Sequence, residues 1–198
     1  MDTHHKPPRR ILIIEGHPDP SPQRLCHGLA EAYREGAREA GHALRTLILG
    51  DLDIPLLASR ADWESAAPEI VEACQQDLLW AEHVVVIYPL WLGDVPAVLK
   101  AFVEQVFRPG FAFDPKRRGA GGRLTNRSAR LVVTMGMPGW FYFGWFGAHS
   151  LRSLRRNVFQ FVGFRPVRTR VFGMVEGASP ERRRVWLEEM TRLGRLGI

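Results

Sequence analysis

The stretch Val84-Val85-Val86-Ile87-Tyr88-Pro89-Leu90-Trp91-Leu92-Gly93-Asp94-Val95-Pro96-Ala97-Val98-Leu99-Lys100 decides the fold of this chain. Its first four residues form an unbroken β-branched run, which reads as a strand buried on both faces. Pro89, Trp91 and Gly93 interrupt that run, and Pro96 stands where a helix can open. Strand, wide loop and helix in that order are the unit of an open α/β sheet, whose carboxyl edge is where ligands bind. The loop is apolar and aromatic with a single Gly. It suits a flat hydrophobic ring held by backbone N–H groups better than it suits phosphate. The plain alternative is a connection that only packs.

Outward from this stretch the pattern alternates. Strands are expected over 10–14, 43–49, 83–87, 130–134 and 168–175. Helices are expected over 22–40, 68–81, 96–107, 149–162 and 180–193. Irregular connections fill 51–63, 111–126 and 136–147. Five strands alternating with helices predict an α/β protein with a parallel sheet covered on both faces, in the doubly wound order 2-1-3-4-5. Residues 1–9 read as a flexible leader and 10–198 as one domain. The loops after strands one, three and four all leave the carboxyl edge, and loops of such length in a compact domain are usually functional.

Composition narrows the class. The 198 residues are 45% hydrophobic and 24% charged, as in an ordinary globular domain. No apolar run is long enough to span a bilayer, and the first ten residues lack the apolar core of a signal peptide. Cys26 and Cys74 stand alone and read as reduced structural thiols, which predicts a cytoplasmic protein. No His, Cys, Asp or Glu grouping has metal spacing, so no metal is expected. The net charge is +6, and of 27 basic residues only Lys6, Lys100 and Lys116 are Lys. Such charge invites a nucleic-acid reading, but no helix-turn-helix, RRM or zinc-finger pattern accompanies it.

The first loop, Glu15-Gly16-His17-Pro18-Asp19-Pro20-Ser21-Pro22-Gln23-Arg24, ends in a residue suited to an N-cap, Ser21, and one suited to the first helical position, Pro22. The N–H groups of such a first turn attract anions. Arg24 there would be unfavourable unless a phosphate were bound beside it, and His17 could donate to the same phosphate. No GxGxxG or Walker lysine is present.

These motifs together resemble the flavodoxin-like NAD(P)H:quinone oxidoreductases, a family that includes the potassium-efflux ancillary oxidoreductases. They are the Gly-His-Pro-Asp-Pro loop, the Pro-Leu-Trp-Leu-Gly…Val-Pro-Ala-Val-Leu-Lys stretch, and the Thr-Met-Gly…Gly-Ala-His pattern after strand four. The resemblance spans about residues 10–193 and implies a flavodoxin-like three-layer sandwich. It implies a bound flavin, FAD in preference to FMN, with NADPH or NADH as donor and a quinone as acceptor in a ping-pong reaction. It places His17 and Ser21 at the flavin phosphate, to which the helix-start reading above adds Arg24. Pro89, Leu90, Trp91, Leu92 and Gly93 would lie along the ring. Thr134, Met135, Gly136 and Met137 would lie on its pyrimidine side. Tyr142 and His149 would stabilise charge on the ring, and Phe113 would line the substrate pocket. The chain departs from the family at Pro22-Gln23-Arg24, where many members have Ser-Phe-Asn. It departs again at Met135 and Met137, where a Thr and a Gly are common.

Residues 140–146 hold six aromatics in seven positions. They read as core or a dimer interface, as a stacking slot that includes Trp140, or, beside Arg152, Arg155 and Arg156, as a contact with a membrane surface. The expected partners are a quinone-like acceptor and a second copy of the chain, with no nucleic acid. The alternative function is an ancillary flavoprotein docked on a membrane transporter.

Overall fold

The computed structural model describes residues 7–117 and 121–198. Five parallel strands form one sheet in the order β2-β1-β3-β4-β5: β1 (Arg10–Glu15), β2 (Ala43–Ile48), β3 (His83–Pro89), β4 (Ser128–Met135) and β5 (Val167–Gly173). The expected topology is the one observed. Every residue of β3 and β4 is buried, which explains why their sequences run apolar without alternation.

Helix α1 (Leu25–Glu39) packs on one face of the sheet with the carboxyl-terminal helix, which spans Pro180–Leu196. The two approach so closely that a Cβ on Gly36 would stand 1.9 Å from the Thr191 carbonyl oxygen. One on Gly194 would stand 2.0 Å from that of Tyr33. Only Gly fits either position. The other face holds α3 (Glu69–Trp80) and α4 (Ala97–Val106), preceded in the chain by the short α2 (Arg60–Glu64). Two further helices follow β4: α5 (Gly139–Gly144) and α6 (His149–Ser153), which runs into a π-helical stretch, Leu154–Phe159. The carboxyl-terminal helix is α7.

Three expectations change. The helix expected from Pro22 begins at Leu25, because residues 18–24 fold on the Asp19 side chain instead of entering the helix. The connection expected over 136–147 contains α5, whose four aromatics between two glycines present no polar face to reveal a helical period. The flexible leader expected over 1–9 does not include Arg9, which is anchored; residues 1–6 lie outside the described residues. The Arg9 guanidinium donates to the carbonyls of Gly197 (2.7 Å) and Glu82 (3.2 Å) and to Ser128 Oγ (3.0 Å). Among the described residues no helix is long and apolar enough to cross a membrane, and no three His, Cys, Asp or Glu side chains could hold a metal ion. Cys26 and Cys74 are buried free thiols.

Candidate functional site

Adjacent strands β1, β3 and β4 end in register at the carboxyl edge. Glu15 pairs with Ile87, and Pro89 pairs with Thr134. The three following loops therefore rise side by side. The chain reverses from β1 to its outer neighbour β2 at this point, which opens the crevice where doubly wound sheets take ligands. Backbone bonds tie the loops together: Gly16 N–H donates to Ile87 O, and Leu90 N–H to Thr134 O, both at 2.8 Å. A Cβ on Gly16 would lie 3.0 Å from the Tyr88 Cβ, so Gly lets the first two loops meet.

In the β1–α1 loop, His17 Nδ1 lies 3.0 Å from both the N–H and the carbonyl oxygen of Asp19; the neutral tautomer that accepts the N–H carries its proton on Nε2. Burial lowers the pKa of His17, favouring this neutral form. Its ring meets the edge of Trp91 at 5.8 Å, which links the first loop to the β3–α4 loop. Asp19 is the centre of the turn. Its carboxylate accepts the Ser21 N–H at 2.9 Å and pairs with Arg24 at 2.5 Å. Those bonds, the Ser21 N–H first, hold its pKa below the usual carboxylate range.

Ser21 therefore does not cap α1. Its hydroxyl bonds Gln23, and Arg24 occupies the cap position with extended backbone and no side-chain cap bond. Arg24 is neutralised by Asp19, so no phosphate is required to explain it. The anion site itself survives this correction. Helix α1 has no acidic residue in its first turn, and its Leu25 and Cys26 N–H groups make no hydrogen bond to another described residue.

Beneath the loop, buried Glu15 pairs with Arg34 at 2.5 Å and with His27 Nδ1. His27 Nε2 reaches the Asp19 carbonyl at 2.9 Å. This prop was not foreseen. His27 and Arg34 are two helical turns apart on one face of α1, so the spacing carried the signal. For Asp19 the signal was an Asp between two prolines, a sequence that favours side-chain-closed turns.

The β3–α4 loop is a tight reversal. Trp91 and Asp94 exchange both backbone hydrogen bonds at 2.9 Å, and Leu92 and Gly93 take positive φ of 48° and 81°. Both central residues are left-handed, as in a type I′ turn, a conformation that disfavours Leu. Leu92 is also fully exposed and Trp91 is half-exposed. Strain at a solvent-facing apolar tip has no folding rationale. The N–H groups of Leu90 and Trp91 are committed inside the protein, and Pro89 has none. Backbone donation to a ring is thus left to Leu92 and Gly93, whose N–H groups bond no described residue.

After β4, Thr134 is buried with its hydroxyl 3.3 Å from Cys26 Sγ, and burial pushes the Cys26 thiol up to about 12. The Met135 and Met137 carbonyls accept the N–H groups of Val175 and Met174. Gly136 is exposed. Tyr142 is not presented at the edge: it is 1% exposed, its hydroxyl lies 2.9 Å from Ser150 Oγ, and it accepts the Leu151 N–H at 3.3 Å. That phenol pins α5 to α6 and replaces the expected contact with a ring. His149 is exposed, directly after the left-handed Ala148 (φ 48°). Phe113 lies apart from the loop edge, in an apolar groove of about 440 Å³ with Trp63 and Phe161. Trp140 is also apart, in a groove of about 470 Å³ beside β5 with Arg170, Arg182 and Trp186.

The residues fit a flavin in two respects, a free helix N-terminus for phosphate and an exposed apolar turn with unused N–H groups for a ring. The family described as Flavodoxin-like fold matches residues 9–192, and the chain belongs to it. A ribosyldihydronicotinamide dehydrogenase-like protein of Penicillium crustosum is 31% identical over 173 residues, covering 73% of this chain and 61% of that protein. An FMN-dependent NADH:quinone oxidoreductase of Ruegeria pomeroyi is 42% identical over 59 residues, 29% of this chain and 28% of that one. The chain thus spans less than two thirds of either relative. The solved NAD(P)H:quinone oxidoreductase of Methanothermobacter marburgensis superposes with a TM-score of 0.81 at 25% identity, covering 95% and 96% of the two chains.

Proposed function

We propose that this protein is an FMN-dependent NAD(P)H oxidoreductase that reduces quinones or similar acceptors by two-electron transfer, the donor and acceptor using one site in turn. The observation that carries the reading is the convergence of three loops from β1, β3 and β4, one bearing a free helix N-terminus and one a strained apolar turn. FMN replaces the FAD preferred from the resemblance, because it is FMN that the Ruegeria relative is named for, and FAD gains no support. Bound flavin supplies the two-electron redox chemistry. The protein's part is to hold the phosphate on the Leu25 and Cys26 N–H groups with His17 Nε2 as a further donor, and to lay Trp91 and Leu92 along the ring. His149, exposed and hydrogen-bonded to no described residue, is the side chain assigned to donate to the charge that develops on the ring. The reading includes a homodimer, in which the Phe113 groove faces a second copy.

The test is the visible spectrum of the purified protein loaded with FMN, before and after anaerobic NADH or NADPH and then a soluble benzoquinone. Bleaching by the nucleotide and recovery with quinone are expected, with His149→Ala slowing the bleaching while FMN stays bound. A protein that takes up no FMN, or holds it without reduction by either nucleotide, contradicts the proposal.

A further inference from the structure

From Pro115 to Val175 the chain has no acidic residue, yet it carries one Lys and eleven Arg. With a net charge of +6 overall, the rest of the chain is left at −6. Charge is therefore segregated. Within this basic stretch, Arg152 and Arg155 lie exposed on α6 and the π-helical stretch, and form no ion pair with a described residue.

The same stretch exposes its aromatics. Trp140 and Trp145 are 77% and 78% exposed, and Phe143 and Phe146 are nearly half-exposed. They are held as a unit. The Phe141 ring touches Trp140 at 5.7 Å, stacks with Trp145 at 6.2 Å and meets Phe146 edge-on at 5.4 Å. Leaving several large apolar rings in water is unfavourable, and contiguous patches of this kind mark contact surfaces. Residues 139–148 contain Gly, Ala, Trp and Phe, with buried Tyr142 as the only other side chain. Apart from the Trp N–H groups this surface offers nothing to read a base edge or a peptide. Its chemistry matches the boundary between headgroups and acyl chains, where Trp concentrates and where Arg gains from anionic lipid.

We propose that the aromatic segment 139–146, with Arg152 and Arg155 on the helical stretch that follows it, docks this protein on an anionic bilayer surface. The proposal stands apart from the flavin reading, and its test reads no redox activity. Full-length protein is floated with vesicles of phosphatidylcholine alone and with vesicles that include phosphatidylglycerol, at low and high salt. Binding to the anionic vesicles only, weakened by salt, is expected, with a blue shift of Trp emission. Charge reversal of the two arginines (Arg152→Glu, Arg155→Glu) should weaken binding about twenty-fivefold or more, from roughly fivefold per lost cation. Replacement by Lys should preserve it, which separates charge from misfolding. Trp145→Ala with Phe143→Ala should weaken binding and abolish much of the blue shift. Absence of binding at low salt, or binding indifferent to both sets of variants, overturns the proposal. So does an aromatic variant that turns a dimer into a monomer, since a second copy is then the occupant. Tighter, variant-sensitive binding to a single-stranded oligonucleotide than to vesicles overturns it as well.

Discussion

The two edges of the sheet are built on opposite terms. At the amino edge, polar groups are pulled inward and tied. Arg9 bridges three parts of the chain, His83 Nδ1 lies 2.8 Å from Ser128 Oγ, and Arg130 donates to the Ile198 carbonyl at 2.9 Å. At the carboxyl edge Glu15, His27 and Arg34 are tied beneath the first loop, but the rim above them is not. An apolar turn faces solvent in a strained conformation, and helix α1 keeps its first N–H groups unused. The first edge lowers the free energy of the fold, and the second leaves interactions unmade for something else to make. Substitutions at the amino edge should therefore cost stability and spare ligand binding, and those at the carboxyl edge should do the reverse.

The largest effect is expected for Arg9→Ala. It removes three charge-assisted hydrogen bonds from partly buried carbonyl and hydroxyl acceptors, for a loss of about 3 kcal/mol in denaturant unfolding. FMN affinity of the folded protein should not change; a selective loss of FMN would break the division between edges.

Next comes His83, whose pKa burial lowers to about 3, with the neighbouring Arg9, Arg130 and Arg168 adding to the effect. The unfolded chain takes up a proton near 6.5 and the folded protein does not, so stability is complete above that pH and falls on acidification. The loss from this group between pH 7 and pH 5 should be about 2 kcal/mol. Unfolding free energies measured across that range should be flatter in His83→Asn; an equal slope would show that His83 charges within the fold.

These two residues also show what the sequence made legible. The alternation of strands and helices, the strand order and the edge that carries the loops could all be read, because burial on both faces writes itself as apolar runs. The amino-edge ties could not. Arg9 sits beside two prolines in what reads as a leader, and its partners are 73, 119 and 188 residues away. At the site, motif spacing located the three loops but not their wiring. Ser21 and Pro22 carry the local preferences of a helix start, and the Asp19 carboxylate overrides them by closing the turn before the helix begins. Tyr142 shows the same limit. An aromatic in a loop-like segment reads as surface, and only the packing of α5 against α6 reveals a buried anchor.

At the carboxyl edge, Leu92→Gly should lower FMN affinity about tenfold through loss of apolar contact, while leaving stability equal or higher by up to about 1 kcal/mol as the left-handed strain is relieved. FMN fluorescence titration alongside thermal unfolding measures both. Lower stability with unchanged affinity would make the turn a structural device. The smallest effect is expected for Arg24→Ala, which uncovers the Asp19 carboxylate near the anion site. FMN affinity should weaken by about two- to fivefold at low salt and by less at high salt. A loss that salt does not moderate would mean that Arg24 leaves Asp19 to hold the ligand itself.

The central claim is that the carboxyl edge is the flavin site, and amide hydrogen exchange with and without FMN tests it most directly. Slower exchange is expected in the loops at residues 16–26, 90–96 and 135–139, with the amino-edge segments at 124–128 and 163–167 unchanged. A cavity of about 730 Å³ lies between those amino-edge segments and Arg156. Protection there, with the three carboxyl-edge loops unaffected, would contradict the account.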